Sequence, residues 1–278
     1  MTTPWTPRPP LEGAALFLSA SVPHPKRDAR FLQGPLEDWL MLRVIDQRVF
    51  DAVQSLVAQL LGAGGRLVHG GHPTITSAIA ALAGSWLASP EAGDAPVLLY
   101  QSEFFAHFPA PPGREEMRQA GFAAVRWTPS TLAELQWQGA PIAERLGLTP
   151  EWIDTWLPKQ ADPGASPAQC EALLVMRLQM LLETQPRSAL CIGGMEGIEA
   201  EARLYTHLCD QGLLPGDGVV HVLASTYGAA AQLEGDRVHL VDGRRRPSPD
   251  TARTDLLERL AYDGVMRELV AEVSTGKG

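Results

Sequence analysis

Short apolar runs and longer amphipathic runs alternate along most of the chain. The runs at residues 14–22 and 96–101 are apolar almost throughout, and the short run at 66–69 is apolar at its centre, which is typical of strands that are covered on both faces. Between the first two, apolar side chains recur at helical spacing over residues 42–61, and glycines follow. This alternation of strands and helices predicts an α/β fold with a mostly parallel sheet.

The same alternation returns in the second half of the chain. Further strands are predicted at 122–127, from Ser188 to the paired glycines, at 219–224 and at 237–241, and further helices at 78–87, 166–183, 199–210 and 256–273. Helices then cover both faces, so the predicted fold is Rossmann-like and doubly wound. Residues 102–165 break the pattern with prolines and tryptophans and are predicted to form an irregular insertion.

The pattern predicts a single domain over residues 14–273. Residues 1–13 are rich in proline and are expected to form a flexible leader, and residues 274–278 are expected to be a frayed tail. A chain of 278 residues, 45% of them hydrophobic, can bury a sizeable core in one domain of this kind.

The composition of the chain argues against several classes of binding partner. The net charge of −9 argues against direct binding of nucleic acid or of an anionic membrane. No apolar run approaches the length of a membrane span and no secretory leader is evident, so a cytoplasmic protein is expected. The 3 cysteines lack metal-ligand spacing, and His69 and His72 have no third ligand nearby, so neither a metal site nor a cofactor is predicted.

Three predicted strands end in glycines or small hydroxyl residues just before a predicted helix. Such turns offer backbone N–H groups and a helix N-terminus to a phosphate or another anion. The first strand ends in serines at the same edge of the sheet. The candidate ligand-binding residues are Ser19, Ser21, Gly70, Gly71, His72, Thr74, Gly193, Gly194, Met195, Glu196, Gly197, Glu199, Ser225 and Thr226. Glycine-rich turns with capping carboxylates and no ligand would show the same pattern.

A single basic residue interrupts the apolar surface of the most apolar of the predicted helices. Arg177 lies within 166–183, and a buried guanidinium needs a carboxylate or a ligand anion as its partner. Both a structural salt bridge to a glutamate after Gly197 and a contact with a ligand remain open.

Two motifs resemble a known superfamily. LVHGGHPTITSAIA at residues 67–80 and LCIGGMEGIEAE at residues 190–201 are similar to the two glycine signatures of the SLOG superfamily, which includes LOG-type nucleotide phosphoribohydrolases and the DNA-processing protein DprA. In the LOG-type enzymes an arginine on the preceding helix and a glutamate act in glycosidic cleavage. The resemblance places these roles on Arg177 and Glu201.

The motifs also depart from the LOG-type pattern. Ile192 replaces a proline, Ile198 replaces a threonine and Leu178 replaces a lysine. The lost threonine and lysine are groups that would contact a phosphate, which disfavours cleavage of a nucleoside monophosphate. The forms GGMEG and STYGAAA look more similar to SLOG domains of bacterial defence systems, which accompany TIR or sirtuin-like domains and bind ADP-ribose-derived nucleotides.

Two functions follow as hypotheses. The first is a sensor or binding protein for an ADP-ribose- or NAD-type ligand, acting through a homo-oligomer or a separate effector protein. The second is an enzyme that hydrolyses the N-glycosidic bond of a nucleotide with Arg177 and Glu201. A DNA-processing partner is a third possibility, which the negative net charge disfavours.

Overall fold

A seven-stranded sheet forms the centre of the molecule. The computed structural model describes residues 11–23, 39–83, 95–147, 165–243 and 260–275. The sheet contains β1 (Ala15–Ser21), β2 (Arg66–His69), β3 (Val97–Ser102), β4 (Ala123–Thr128), β7 (Ser188–Gly193), β8 (Val220–Leu223) and β9 (Val238–Leu240). A separate antiparallel hairpin consists of β5 (Gln136–Trp137) and β6 (Ala140–Pro141).

The order of the strands creates a crevice at the middle of the sheet. The order is β4-β3-β2-β1-β7-β8-β9, and all neighbouring pairs within it are parallel. The chain therefore winds outward from β1 to β4, returns to pair β7 with the free side of β1, and winds outward again. Ligands of open α/β sheets bind where this order reverses, outside the carboxyl ends of the strands. The predicted parallel α/β architecture is confirmed.

Helices cover both faces of the sheet. The helices are α1 (Trp39–Gly62), α2 (Pro73–Ala80), α3 (Arg114–Gln119), α4 (Ile142–Arg145), α5 (Pro167–Thr184), α6 (Glu196–Asp210) and α7 (Tyr262–Thr275). Buried residues of α1, α2, α3 and α7 share one hydrophobic cluster, and those of α4, α5 and α6 share another. The sheet thus separates two cores, one on each face.

The alternation of side chains along the central strand explains the two cores. All seven residues of β1 are buried. Leu16 and Leu18 belong to the cluster under α1, whereas Ala15 and Phe17 belong to the cluster under α5 and α6. Successive side chains of a strand point to opposite faces, so a strand covered on both sides must be apolar throughout.

Several elements differ from the sequence prediction. Helix α2 begins at Pro73 and α6 at Glu196, both earlier than predicted. The predicted insertion contains a 3₁₀ turn (Glu103–Phe105), α3, the hairpin and α4, while residues 148–164 of it lie outside the described residues. Part of the predicted irregular segment is therefore regular structure.

The helix predicted after Ser225 does not form. Only two short 3₁₀ turns, Ala224–Thr226 and Ala230–Gln232, occupy this stretch. Tyr227 and Gly228 both have positive φ, of 58° and 67°, which a right-handed helix cannot accommodate. The Ala229 N–H instead donates to the Gly194 carbonyl at 3.0 Å, so the loop is bound to the neighbouring glycine turn.

The ends of the predicted domain extend slightly beyond their expected bounds. Leu11, within the predicted leader, is buried, and its N–H donates to the Ala63 carbonyl at 3.0 Å. Helix α7 includes Ser274 and Thr275 of the predicted tail. Residues 1–10 and 276–278 lie outside the described residues. No helix within the described ranges combines the length and the apolar character that crossing a bilayer requires.

Candidate functional site

A cleft of about 590 Å³ opens at the carboxyl ends of the central strands. Its inner side includes the end of β1, the turn after β2, part of α5 with Arg177, and the start of α6. The predicted residues that line it are Ser21, Gly70, Gly71, His72, Met195, Glu196, Gly197, Arg177 and Glu201. The structure therefore brings together candidates from four separate segments of the chain.

Glu201 is held by contacts from two other elements. Its Oε1 accepts a hydrogen bond from Arg177 Nε at 3.0 Å, and its Oε2 accepts one from Ser19 Oγ at 2.5 Å. The side chains of Arg177 and Glu201 are only 6% and 16% exposed. A carboxylate bound at both oxygens in a partly dry site keeps a fixed orientation. Ser19, predicted to contact the ligand, thus contacts Glu201 instead.

The guanidinium of Arg177 retains donors beyond this ion pair. Its Nη1 is buried and finds no hydrogen-bond partner among the described residues. Its Nη2 passes so close to Gly197 that a Cβ atom built there would lie 3.1 Å away. A buried guanidinium N–H without a partner is costly, and Arg177 lines the cleft. The cleft can consequently bind an anion beside Nη1 of Arg177.

The first turn of α6 lies beside the same guanidinium. Met195 occupies the N-cap position, and within the described part of the chain its side chain makes no capping hydrogen bond. The first N–H groups of a helix and its positive end attract anions. The carboxylates of Glu196 and Glu199 in this turn would repel a highly charged anion. Glu196 lines the cleft, whereas Glu199 is not among the residues that line it.

The glycine turn after β7 supports the cleft from behind. Gly193 and Gly194 have φ of 61° and 78°, values that glycine adopts without strain. The Gly193 N–H donates to Thr226 Oγ1 at 2.8 Å, and Thr226 Oγ1 in turn donates to the Leu223 carbonyl at 2.7 Å. Neither glycine is among the described residues that line the cleft. This turn positions α6 and does not itself face the ligand space.

Ser225 and Thr226 are not brought to the cleft. The Ser225 N–H donates to Asp242 Oδ2 at 2.8 Å, and its hydroxyl lies 3.1 Å from the Tyr262 hydroxyl. Both residues are buried. Both hydroxyls contact other groups of the protein, Ser225 the Tyr262 hydroxyl and Thr226 the backbone of Gly193 and Leu223, so this turn differs from the ligand-binding turn that the sequence predicted.

Two histidines line the cleft at the end of β2: His69 is the last residue of the strand and His72 lies in the turn after it. Burial of His69, together with the neighbouring His72, lowers the pKa of His69 to about 4, so its ring is neutral at pH 7. His72 Nδ1 lies 2.9 Å from Thr74 Oγ1. Thr74 therefore contacts the His72 ring, which lines the cleft, and is not itself among the lining residues. In the described ranges neither histidine belongs to a group of three metal-ligating side chains.

The outer wall of the cleft contains aromatic residues that the sequence prediction did not assign to a site. Phe105, Phe108 and Trp127 line this wall, and Phe108 and Trp127 are 55% and 41% exposed. Arg114 also lines it, donates to Gln101 Oε1, and places its Cζ 5.6 Å from the centre of the Trp127 ring. The signal for this wall was the cluster of phenylalanines directly after the carboxyl end of a predicted strand.

Comparison with known proteins gives one family. The sequence model of the SLOG cluster3 family matches residues 46–129 and 166–245, more than half of the chain. These segments contain both glycine turns, Arg177 and Glu201. No curated protein and no solved structure matches the chain.

Proposed function

The chain belongs to the SLOG cluster3 family, and we propose that its cleft binds a nucleotide-derived ligand of the ADP-ribose or NAD type. Family membership indicates nucleotide-related binding or modification. The finer assignment rests on the chemistry of the cleft. The observation that carries it is the unpartnered Nη1 of the buried Arg177 beside the first turn of α6.

The inner end of the cleft is suited to a phosphate group. An arginine presents several N–H donors in a fixed plane, and a helix start presents backbone donors and a partial positive charge. Arg177 lies at this end with Nη1 unpartnered within the described residues. A phosphate oxygen would supply the acceptor that the buried guanidinium lacks.

The outer end of the cleft is suited to a nucleobase. Exposed Phe108 and Trp127, with Phe105 behind them, present flat apolar surface at the wall. Large exposed aromatic side chains beside a cleft commonly mark a binding surface, and aromatic rings stack on bases. A ligand with a base at one end and phosphate at the other would match both ends of the cleft.

The mixed charge of the cleft favours a ligand that also carries sugar hydroxyls. Arg114 and Arg177 are accompanied by Glu196 and Glu201. Carboxylates repel a polyphosphate but accept hydrogen bonds from hydroxyl groups. An ADP-ribose-type molecule has a base, two phosphates and two riboses, and the aromatic, basic and acidic side chains of the cleft would offer partners to these groups.

We also propose that the chain acts as a sensor in a bacterial defence or stress pathway. This proposal rests on the resemblance of its GGMEG and STYGAAA motifs to SLOG domains of such systems. Ligand binding would then act through a second copy of the chain or through a separate effector protein. Light scattering with and without ADP-ribose tests the first of these two routes.

A hydrolase is the second candidate function. The specific observation in its favour is the orientation of Glu201 by Ser19 and Arg177 at the edge of the cleft. A carboxylate fixed in this way can stabilise an oxocarbenium-like centre or activate a water molecule. The substrate would again be a nucleotide, with its N-glycosidic bond beside Glu201.

Calorimetric titration of ADP-ribose into the wild type and two arginine variants tests the binding proposal. Arg177→Lys keeps the positive charge next to Glu201 but loses the planar fork, so we expect affinity to fall by about tenfold or more. Arg203→Lys, an exposed control on α6, should leave affinity unchanged. Equal affinity of all three proteins, or no binding by the wild type, would contradict the proposal.

Mass spectrometry of the wild type and of Glu201→Gln, each after long incubation with ADP-ribose or NAD, separates the two candidates. A binding protein leaves ADP-ribose and NAD intact. A hydrolase releases free base, and Glu201→Gln should abolish that release while the protein still binds the nucleotide.

A further inference from the structure

Three metal-ligating side chains meet at the edge of the sheet that carries β9. His221 of β8 and His239 of β9 are directly opposite each other in the parallel register, with ring centres 5.4 Å apart. Glu272 of α7 lies over this pair. One ligand atom from each of the three residues falls within 4.8 Å of the other two.

These distances are close to those of a four-coordinate metal site. Bonds of about 2.0–2.1 Å in a tetrahedron place two ligand atoms about 3.3 Å apart. His239 Nδ1 and Glu272 Oε1 are 3.7 Å apart, too far for a good hydrogen bond. Their side chains are 50% and 32% exposed, so both can move closer to a shared ion without disturbing the core.

The third residue is fixed and lacks a partner. His221 is 3% exposed, and its Nδ1 has no hydrogen-bond partner among the described residues. A neutral imidazole with an available lone pair is the form that ligates a metal.

We propose that His221, His239 and Glu272 bind one Zn²⁺ ion per chain. Two imidazoles and one carboxylate are borderline ligands that suit zinc, whereas Ca²⁺ and Mg²⁺ prefer sites built from oxygen ligands. The exposed sides of His239 and Glu272 leave room for a water molecule as fourth ligand. His221, His239 and Glu272 lie far apart along the chain, so no ligand spacing in the sequence indicates this site.

The ion would join two paired strands to the helix beside them. His221 belongs to the buried strand β8, His239 to the edge strand β9, and Glu272 to the last turns of α7. Metal that binds only the folded state raises the apparent stability of that state. We therefore expect Zn²⁺ to stabilise this edge of the molecule independently of any ligand in the cleft.

Titration of Zn²⁺ into untagged, chelator-treated protein tests the proposal. The wild type should bind one equivalent and melt at a higher temperature with Zn²⁺ than without it. His239→Ala and Glu272→Gln alter partly exposed residues, so both variants should fold. Loss of an outer-shell partner commonly weakens metal affinity by roughly 10–100-fold, and loss of a direct ligand should weaken it at least as much.

Two matched variants control for adventitious binding. His107→Ala removes an exposed histidine elsewhere, and Glu268→Gln removes an exposed glutamate one turn earlier in α7. Both should keep the affinity of the wild type. Absence of one-to-one binding by the wild type, or equal affinity in His239→Ala and His107→Ala, would overturn the assignment.

Discussion

Arg177 is fixed from two sides, by Glu201 and by the first turn of α6. Its Nη2 approaches Gly197 so closely that any larger residue there must displace it. The ion pair with Glu201 alone would leave the guanidinium free to tilt. The direction of the remaining N–H donors of Arg177 therefore depends on Gly197, although Gly197 has no side chain that could bond to the guanidinium.

Gly197→Ala should lower the affinity for ADP-ribose without lowering the stability of the fold. Alanine in a helix is about 1 kcal/mol more favourable than glycine, so the free energy of unfolding should stay equal or rise. The added methyl group would displace Arg177 Nη2, since it would lie 3.1 Å away, and ADP-ribose affinity should fall. Gly264→Ala, in α7 with no described atom within 4 Å of the new Cβ, should raise stability with no change in affinity.

His69 should make stability depend on acid pH. Burial lowers its pKa from 6.5 to about 4 in the folded state, so the unfolded chain binds the proton more readily. Stability that is present above pH 6.5 is then lost as the pH falls towards 4, by about 3 kcal/mol for this residue. Urea unfolding at pH 7 and pH 4 measures the change.

The variant His69→Gln gives the comparison. Its loss of stability between the two pH values should be smaller than that of the wild type by about 3 kcal/mol. His221, whose pKa is also lowered to about 4, contributes to the pH dependence of stability in the variant and in the wild type alike. The same pH dependence in the variant and the wild type would contradict a buried neutral His69.

At the scale of elements, the loop after β8 is bound to the glycine turn after β7. A Cβ atom at Gly228 would lie 2.5 Å from the Gly194 carbonyl oxygen, a backbone atom that cannot move aside cheaply. Thr226 and Ala229 add hydrogen bonds to Gly193 and Gly194. The two loops consequently form one support beneath the start of α6.

Gly228→Ala should disrupt this support, and Gly212→Ala provides the matched control. Both glycines have φ of 67°, but no described atom lies within 4 Å of a Cβ at Gly212. The positive φ costs either variant about 1–2 kcal/mol, and only Gly228→Ala adds the backbone clash. Denaturant unfolding should therefore show a clearly larger loss for Gly228→Ala; equal losses would mean that the loops are not coupled.

The aromatic wall should contribute to ligand affinity. Trp127→Ala or Phe108→Ala removes a stacking surface worth about 1–3 kcal/mol per base, so ADP-ribose affinity should fall by about tenfold. Phe104→Ala, a neighbour that is not among the lining residues, should keep the affinity of the wild type. Titration calorimetry distinguishes these results, and unchanged affinity in all three variants would exclude base stacking at this wall.

Elements could be predicted where local periodicity determines them. Strand β2 matches its predicted bounds, and Ser166 caps α5 as an N-cap serine does, accepting from the Gln169 N–H at 3.2 Å. The prediction of a helix after Ser225 was wrong. The alanines there favour a helix locally, but Tyr227 and Gly228 adopt positive φ, and the loop contacts the glycine turn after β7. Tertiary contacts of that kind leave no periodic signal.

At the scale of the whole molecule, the reversal of strand order explains why part of the site was predictable. Residues at the carboxyl ends of β1 and β2, and those that begin α6 after β7, converge on one cleft because parallel strands end at the same edge. Trp127 and Phe108 come from the outer strands and their loops, and their approach to the cleft depends on the path of the chain between elements. Sequence motifs therefore indicated the inner, polar end of the cleft and not its aromatic wall.

Native mass spectrometry of the wild-type protein with ADP-ribose, NAD and AMP tests the central claim most directly. The account predicts one intact ADP-ribose-type molecule retained per chain, with AMP retained more weakly because it lacks the second phosphate and ribose. Retention of none of the three nucleotides, with the protein folded, would contradict a nucleotide-binding cleft at the end of β1 and β7.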